Sequence, residues 1–384
     1  MISVVRRLSL LLILFSLTLD ATEMFPRPQV QQGRRTPLQE AARPRLNLPI
    51  QRGPCSDRSN IREFLIDRSV AGKLVAIIDE GESHIVCVSD NDGRIWRKTL
   101  GDNILQMTMH RGDREMPSHF YASGEDGKFY KSTDGALTWD LIYTFSEGFA
   151  RAIAIDRSKF RRGTMLVAPQ VNEGESGIYV SDTRWRRLSF NFYPFGIEHP
   201  TWIVWAVAQN LSGHFFLGVE LGAKSLLEGA PYHPPILRSR DGGRTWETLL
   251  EENNKHITDI EIDPVNNTIY ADDEGPRLWK STDNGDTWEQ IQDQLFCHTL
   301  ALNPQNPSQM FCGELMPPNC VDNPACGMRG RVWQSTNGGE TFEVLLEENL
   351  NVVTLHYNPS NETLYIPTYG QGLHRLVVPG NLSE

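Results

Sequence analysis

Carboxylates are the side chains in this chain with the number and spacing to do chemistry. Asp79, Glu125, Glu173, Glu220, Asp273, Glu274 and Glu314 recur at roughly even intervals, and Tyr369 follows at the corresponding place. Two carboxyls about 5–10 Å apart across a cleft hydrolyse glycosidic bonds. A ring of acids without such a pair instead suits a cation, a basic peptide or a hydroxyl-rich sugar. No metal-ligand spacing, phosphate loop or nucleophile motif occurs, so the sequence leads us to expect no metal and no cofactor, and it singles out no catalytic residue.

A repeating unit sets the spacing of these acids. Ser281-Thr-Asp-Asn-Gly-Asp-Thr-Trp288 has the form S-x-D-x-G-x-T-W, a tight turn leading into an apolar strand. Asp283 can accept from nearby backbone N–H groups, and Gly285 can take positive φ. Copies run Ser132–Trp139, with Asp134 kept and Ala136 replacing the glycine, Ser239–Trp246, with Asp241, and Ser335–Phe342, with Asn337 replacing the aspartate. The motif residues are expected to work structurally, Trp139, Trp246 and Trp288 by packing between neighbouring units.

Around each turn lie short alternating strands, giving the order strand A, strand B, strand C, turn, strand D. Weaker units surround a degenerate turn ending at Trp96 and a shortened one ending at Trp185, and Leu373–Leu376 ends the series, for seven units. The expected fold is therefore all-β, a seven-bladed β-propeller of four-stranded blades over residues 61–384, with the motif turns between strands C and D. The last unit lacks strand D. Leu46–Ile50 is a candidate to supply it and close the ring, with Pro49 restricting it to an outer edge. A–B and C–D turns share one rim, and the B–C and D–A connections that carry the acids share the other.

The turn is identified as the Asp box, or BNR repeat, which resembles that of sialidases, xyloglucan-cleaving glycosidases, sortilin-type receptors and photosystem assembly factors. The resemblance implies the propeller fold and names no reaction. A sialidase would bring an arginine triad and a tyrosine nucleophile; here only Arg62 and Arg151 stand at equivalent starts of strand A, and an acidic rim repels an anionic sugar. The sortilin-type likeness implies peptides as a ligand class. We therefore expect a binding protein for an extracellular protein, basic peptide or glycan; the alternative is a glycoside hydrolase, sialidase-like or acting on neutral sugars.

Secretion is expected from the start of the chain, where Arg6 and Arg7 precede an apolar run, Leu8–Leu19, and small residues near Ala21, so that residues 1–21 read as a signal peptide. That run is shorter than the ~20 apolar residues of a membrane span. Residues 22–60 are rich in Pro, Gln and Arg and read as a mostly disordered basic leader with a processing candidate at Arg34-Arg35. From Ile61 onward 28 basic face 44 acidic side chains, a balance that disfavours nucleic acid. Sequons stand at Asn210, Asn266, Asn361 and Asn381, and six cysteines suit an oxidising compartment. Cys320 and Cys326 flank a short loop that a disulfide could close, whereas Cys55, Cys87, Cys297 and Cys312 cannot be paired from sequence. Arg111-Gly112-Asp113 matches an integrin-recognition tripeptide, a weak signal at this length.

Overall fold

The computed structural model describes residues 60–101, 103–110, 118–145, 149–155, 165–170, 177–181, 186–189, 202–221, 236–250, 257–273, 276–314, 330–348 and 350–380. Within each blade every strand hydrogen-bonds to the next in sequence, which makes the blade a simple antiparallel meander. Blade one holds β1 (Ile61–Ile66), β2 (Leu74–Glu80), β3 (Ser83–Ser89) and β4 (Arg97–Leu100), and blade two β5 (Ile104–His110), β6 (His119–Gly124), β7 (Lys128–Ser132) and β8 (Asp140–Thr144). Blade three holds β9 (Phe149–Ile155), β10 (Met165–Gln170), β11 (Gly177–Val180) and β12 (Arg186–Ser189), and blade four β13 (Trp202–Gln209), β14 (Phe215–Leu221), β15 (Ile236–Ser239) and β16 (Glu247–Leu250). Blade five holds β17 (Ile257–Ile262), β18 (Ile269–Asp273), β19 (Leu278–Ser281) and β20 (Glu289–Gln292), and blade six β21 (Thr299–Leu302), β22 (Met310–Gly313), β23 (Arg331–Ser335) and β24 (Glu343–Glu347). Blade seven has three strands among the described residues, β25 (His356–Asn358), β26 (Thr363–Thr368) and β27 (Gly372–Val377).

The expected seven-bladed propeller is thus what forms, and its first strands are its hub. β1 packs on β5, β5 on β9, and so on through β13, β17 and β21 to β25, which returns to β1. Apolar side chains fill the seams between blades rather than the blades themselves. Phe64, Ile78, Cys87 and Trp96 of blade one bury against Tyr365 and Leu373 of blade seven, and Phe311 and Val332 of blade six against Tyr357, Leu364 and Leu376. Five further clusters occupy the other five seams. Each fully buried aromatic or aliphatic side chain contributes about 1.5–3 kcal/mol by leaving water. Phe64 stacks on Tyr365 at 5.9 Å between ring centres, and Arg68 donates to the Tyr357 carbonyl at 2.7 Å, so the ring shuts through direct contacts of its first and last blades.

The Asp-box turns act as staples. In blade five the Ser281 hydroxyl accepts the Gly285 N–H at 2.8 Å and donates to Asp283 at 2.9 Å. Asp283 accepts the Thr287 N–H and hydroxyl at 2.8 and 2.6 Å. Thr287 holds the Asp283 carboxyl below its ordinary range. The same net recurs after Ser132, Ser239 and Ser335. Ala136 takes φ 65° where the other boxes have glycine. The turn ending at Trp96, expected to be degenerate, forms the net too: Gly93 N–H reaches Ser89 and Ile95 N–H reaches Asn91, both at 2.8 Å. Asn91 supplies the acceptor oxygen that an aspartate gives in the turns of blades two, four and five. Trp96, Trp139, Trp246 and Trp288 each pack on the preceding blade, as expected of the last three, and Phe342 does likewise.

A second repeated device was not foreseen. Strand A ends in an Asp or Asn whose side-chain oxygen accepts a backbone N–H of the A–B turn: Asp67 from Ser69 at 3.0 Å, Asn210 from His214 at 2.9 Å, Asp263 from Val265 at 2.7 Å, Asn303 from Gln305 at 3.0 Å and Asn358 from Ser360 at 3.2 Å. All five are buried. These turns meet the boxes, as Asp92 N–H on Gly72 O and Gly338 N–H on Ser308 O show, so A–B and C–D turns share a rim.

The first strand of blade seven is short, His356–Asn358. Its partner β26 contains Pro367, which has no N–H to donate, so pairing above His356 reduces to a Val352–Thr368 bridge and Val353 N–H on Pro367 O. Cys297 and Cys312 form a disulfide, and Cys87 is disulfide-bonded as well. The candidate closing strand at residues 46–50, the Arg111-Gly112-Asp113 tripeptide, Asn381, and the Cys320/Cys326 pair lie outside the described residues.

Candidate functional site: the rim opposite the Asp boxes

The acid-bearing rim is built from the ends of strand B, the starts of strand C and the connections leading into strand A. Glu125 N–H bonds Asn103 O at 3.0 Å and Tyr369 N–H bonds Asn351 O at 2.9 Å, so these two B–C connections are tied to the segments entering strand A. Strand A itself is kinked there. Registers skip one residue, Arg62 in β1, Leu105 in β5 and Thr258 in β17, each a β-bulge. The bulge swings Arg62 onto Asp79, whose carboxylate it holds together with Asn60 Nδ2 at 3.2 Å and His84 Nε2 at 3.5 Å. Burial, then the Arg62 charge, keeps His84 below its ordinary pKa.

Blades five and six share a further arrangement. Asp273 pairs with Arg277 Nε at 2.6 Å. Glu314 accepts the Arg331 backbone N–H at 3.2 Å and Trp333 Nε1 at 3.0 Å, with Arg331 Nε at 3.5 Å. Both arginines lie over the tryptophan two residues on, 5.9 Å for Arg277–Trp279 and 5.0 Å for Arg331–Trp333. Asp273 and Glu314 are buried, so these acids and Asp79 serve the blade that carries them. Glu125 is exposed, Tyr369 is exposed, and the ion-paired Asp126 and Glu80 stand beside them on the rim, bound to Lys128 and Lys98 at 2.6 and 2.7 Å. Glu220 lies in β14, and Glu173 and Glu274 fall outside the described residues.

Deeper, the hub carries acids that the sequence reading passed over. Glu63, just past the bulge of β1, accepts Gln106 Nε2 of blade two at 2.9 Å. Asp259, at the equivalent place in β17, accepts the backbone N–H of Leu300 in blade six at 2.9 Å and of Ile260 at 2.9 Å. Each reaches forward to the next blade, and Asp259 meets an inner-edge amide that has no strand beyond it to bond. Enclosure by the hub walls, despite some residual solvent contact, pushes Glu63 up to about 7, with the Asp259 charge opposite adding to the rise. Burial likewise raises Asp259 to about 6. Asp272, fully buried and held by Thr258 Oγ1 at 2.8 Å, is raised well above the carboxylate range by burial and then by Asp259. Near neutral pH the hub is therefore less negative than its acid count. Glu63 and Asp259 both move upward, which differs from the acid-and-anion asymmetry of a glycosidase pair. Among the described residues no group of three His, Cys, Asp or Glu is placed to hold a metal ion. No described helix is long and apolar enough to cross a membrane.

Comparison with known proteins agrees with a propeller of the Asp-box superfamily. Residues 235–372 match the family model described as Sortilin-Vps10 (sortilin, neurotensin receptor 3). No curated protein matches. Among solved structures the fold is similar to YCF48 from Cyanidioschyzon merolae, at 12% identity and TM-score 0.56 over 88% of this chain and 98% of that one. It is similar to YCF48 bound to D1 peptide, at 15% identity and TM-score 0.57 over 89% and 100%. An ancestral GH74 enzyme gives 13% identity and TM-score 0.60 over 84% of this chain and 45% of the enzyme.

Proposed function

We propose that this protein is a secreted propeller that binds an extracellular protein or peptide, with basic character, through the rim opposite the Asp boxes. The carrying observation is how the rim divides its acids. Asp79, Asp273 and Glu314 are consumed by arginines of their own blades and give a rigid floor, while Glu125 and Tyr369 stay exposed above it. An exposed carboxylate and a phenol on a stiff base suit a lysine or arginine side chain and an extended backbone. The Sortilin-Vps10 match and the peptide-bound YCF48 neighbour support a peptide over a sugar. Glycoside hydrolysis is the weaker reading, since burial raises both hub carboxyls, Glu63 and Asp259, and so does not set an acid against an anion.

The test is selection from a displayed library of random peptides against the purified protein, at low and high salt. Enrichment of Lys- and Arg-bearing peptides, released by salt and weakened about tenfold or more by Glu125→Lys with Glu173→Lys, is expected. Enrichment of acidic or purely apolar peptides, or binding indifferent to both substitutions, would overturn the proposal. Secretion is checked by expression with the native leader and recovery of protein starting near Thr22 from the medium.

A further inference from the structure

The sequons separate sharply once placed in the blades. Asn210 is the buried Asx cap of the A–B turn in blade four, 5% exposed. Its Oδ1 accepts the His214 N–H at 2.9 Å and its Nδ2 lies against Asn284 Oδ1 of blade five at 3.0 Å. Asn267 Nδ2 donates to the same Asn284 oxygen at 2.6 Å, so the amide is wedged in an inter-blade knot. A sugar attached there would need that seam to open.

Asn266 and Asn361 sit differently. Each lies three residues after the cap of its own turn, Asp263 in blade five and Asn358 in blade seven, and each is exposed. Asn266 Oδ1 accepts the Thr268 N–H at 2.9 Å, a bond that a glycosylated amide retains. Asn361 Nδ2 donates to the Tyr365 hydroxyl at 3.1 Å, and a substituted amide still keeps one N–H for it. Blade six has Asn306 at the same turn position, but Pro307 follows it and removes the sequon. Beside Asn266 the rim exposes apolar side chains, Val265 at 64% and, joined to Asn267 through its N–H, Leu211 at 65%.

We infer that the folded, secreted protein carries N-linked glycans at Asn266 and Asn361 and none at Asn210. Both glycans stand on the Asp-box rim, on blades five and seven, where that at Asn266 covers the exposed Val265 and Leu211 and the two close that rim to large partners. The opposite rim remains the face open to a ligand. The inference rests on the secreted reading above, and the experiment keeps the two apart.

The full chain is expressed in glycosylating eukaryotic cells in two forms, one with its native leader and one with residues 1–21 replaced by an established secretion signal. Failure of the native form to reach the medium overturns secretion alone. On protein from the medium, peptide N-glycosidase in heavy-oxygen water followed by peptide mass spectrometry marks each occupied asparagine. Label at Asn266 and Asn361 with Asn210 unlabelled is expected, together with two mobility steps lost in Asn266→Gln plus Asn361→Gln. Occupied Asn210 in soluble protein, or both Asn266 and Asn361 empty in the form with the established signal, would overturn the inference.

Discussion

Protonation at single residues shapes how this ring responds to pH. Glu63 has a folded value of about 7 against an ordinary 4.5, so folding favours its protonated form. The stability it contributes is complete below about pH 4.5 and is lost as pH rises toward 7. Asp259 follows the same sign up to about 6. His298 and His356 run the opposite way, lowered by burial from 6.5 to about 4 and about 3, so their contribution is lost as pH falls below 6.5. The two sets leave a plateau in weakly acidic solution with losses on both sides. Glu63→Gln keeps an acceptor for Gln106 and removes the alkaline loss. Urea unfolding should show the variant gaining on the parent by about 2–3 kcal/mol between pH 4.5 and 7.5; a pH-independent difference would refute the assignment. Glu314→Ala leaves the Trp333 N–H and Arg331 unmatched and should cost about 2–3 kcal/mol in the same measurement. In blade five no bond joins the shorter Asp273 to Trp279, whose Nε1 is buried without a partner among the described residues.

Elements are held by two sets of turns that share a rim but differ in exposure. The box aspartates keep solvent contact, Asp134 exposed and Asp241 and Asp283 half-buried, while their serines are buried, Ser281 and Ser239 among them. Ser281→Ala strands the Gly285 N–H in a dry turn and should cost about 1–3 kcal/mol by thermal or urea unfolding. Asp283→Ala exchanges its bonds for water at a smaller cost, about 1 kcal/mol. Equal effects would mean that burial does not rank these bonds. The boxes were legible because one turn geometry demands a fixed series of residue types. The Asx caps were legible too: Asp67, Asp263, Asn303 and Asn358 each follow an apolar strand, three of them directly before proline. They were passed over because a lone Asp or Asn is common in any turn. Which rim acids are ion-paired was not legible, for a different reason. Spacing placed Asp79, Asp273 and Glu314 on the right connections, but whether an acid is free depends on a neighbour that a bulge or a return strand brings back, as Arg62 and Arg331 show. Glu63 and Asp259 looked like the polar positions of alternating strands, because the hub that encloses them exists only once all seven blades meet.

The ring as a whole is joined between blades seven and one by side chains rather than by a described strand. Among the described residues blade seven has β27 as its outer edge, and Cys87 faces that seam in a disulfide. A supplementary strand from residues 46–50 is our proposal for that edge. Deleting residues 44–52 should lower Tm by several degrees in differential scanning calorimetry, and an unchanged Tm would remove the strand from the ring. Because each apolar cluster is shared by two blades, no blade holds a core of its own, and unfolding should be a single transition rather than the stepwise loss seen in open repeat arrays.

The seam also dates the fold within biosynthesis. Arg68 meets Tyr357 and Asp92 meets Tyr365 across 289 and 273 residues of chain. A ribosome emits blade one long before blade seven exists. Until Tyr365 and Leu373 emerge, Phe64, Ile78 and Trp96 have no covering face, and the growing chain presents an oily, adhesive flank to whatever surrounds it. The protein is thus most exposed to misassembly during its own synthesis, until blade seven emerges to cover blade one.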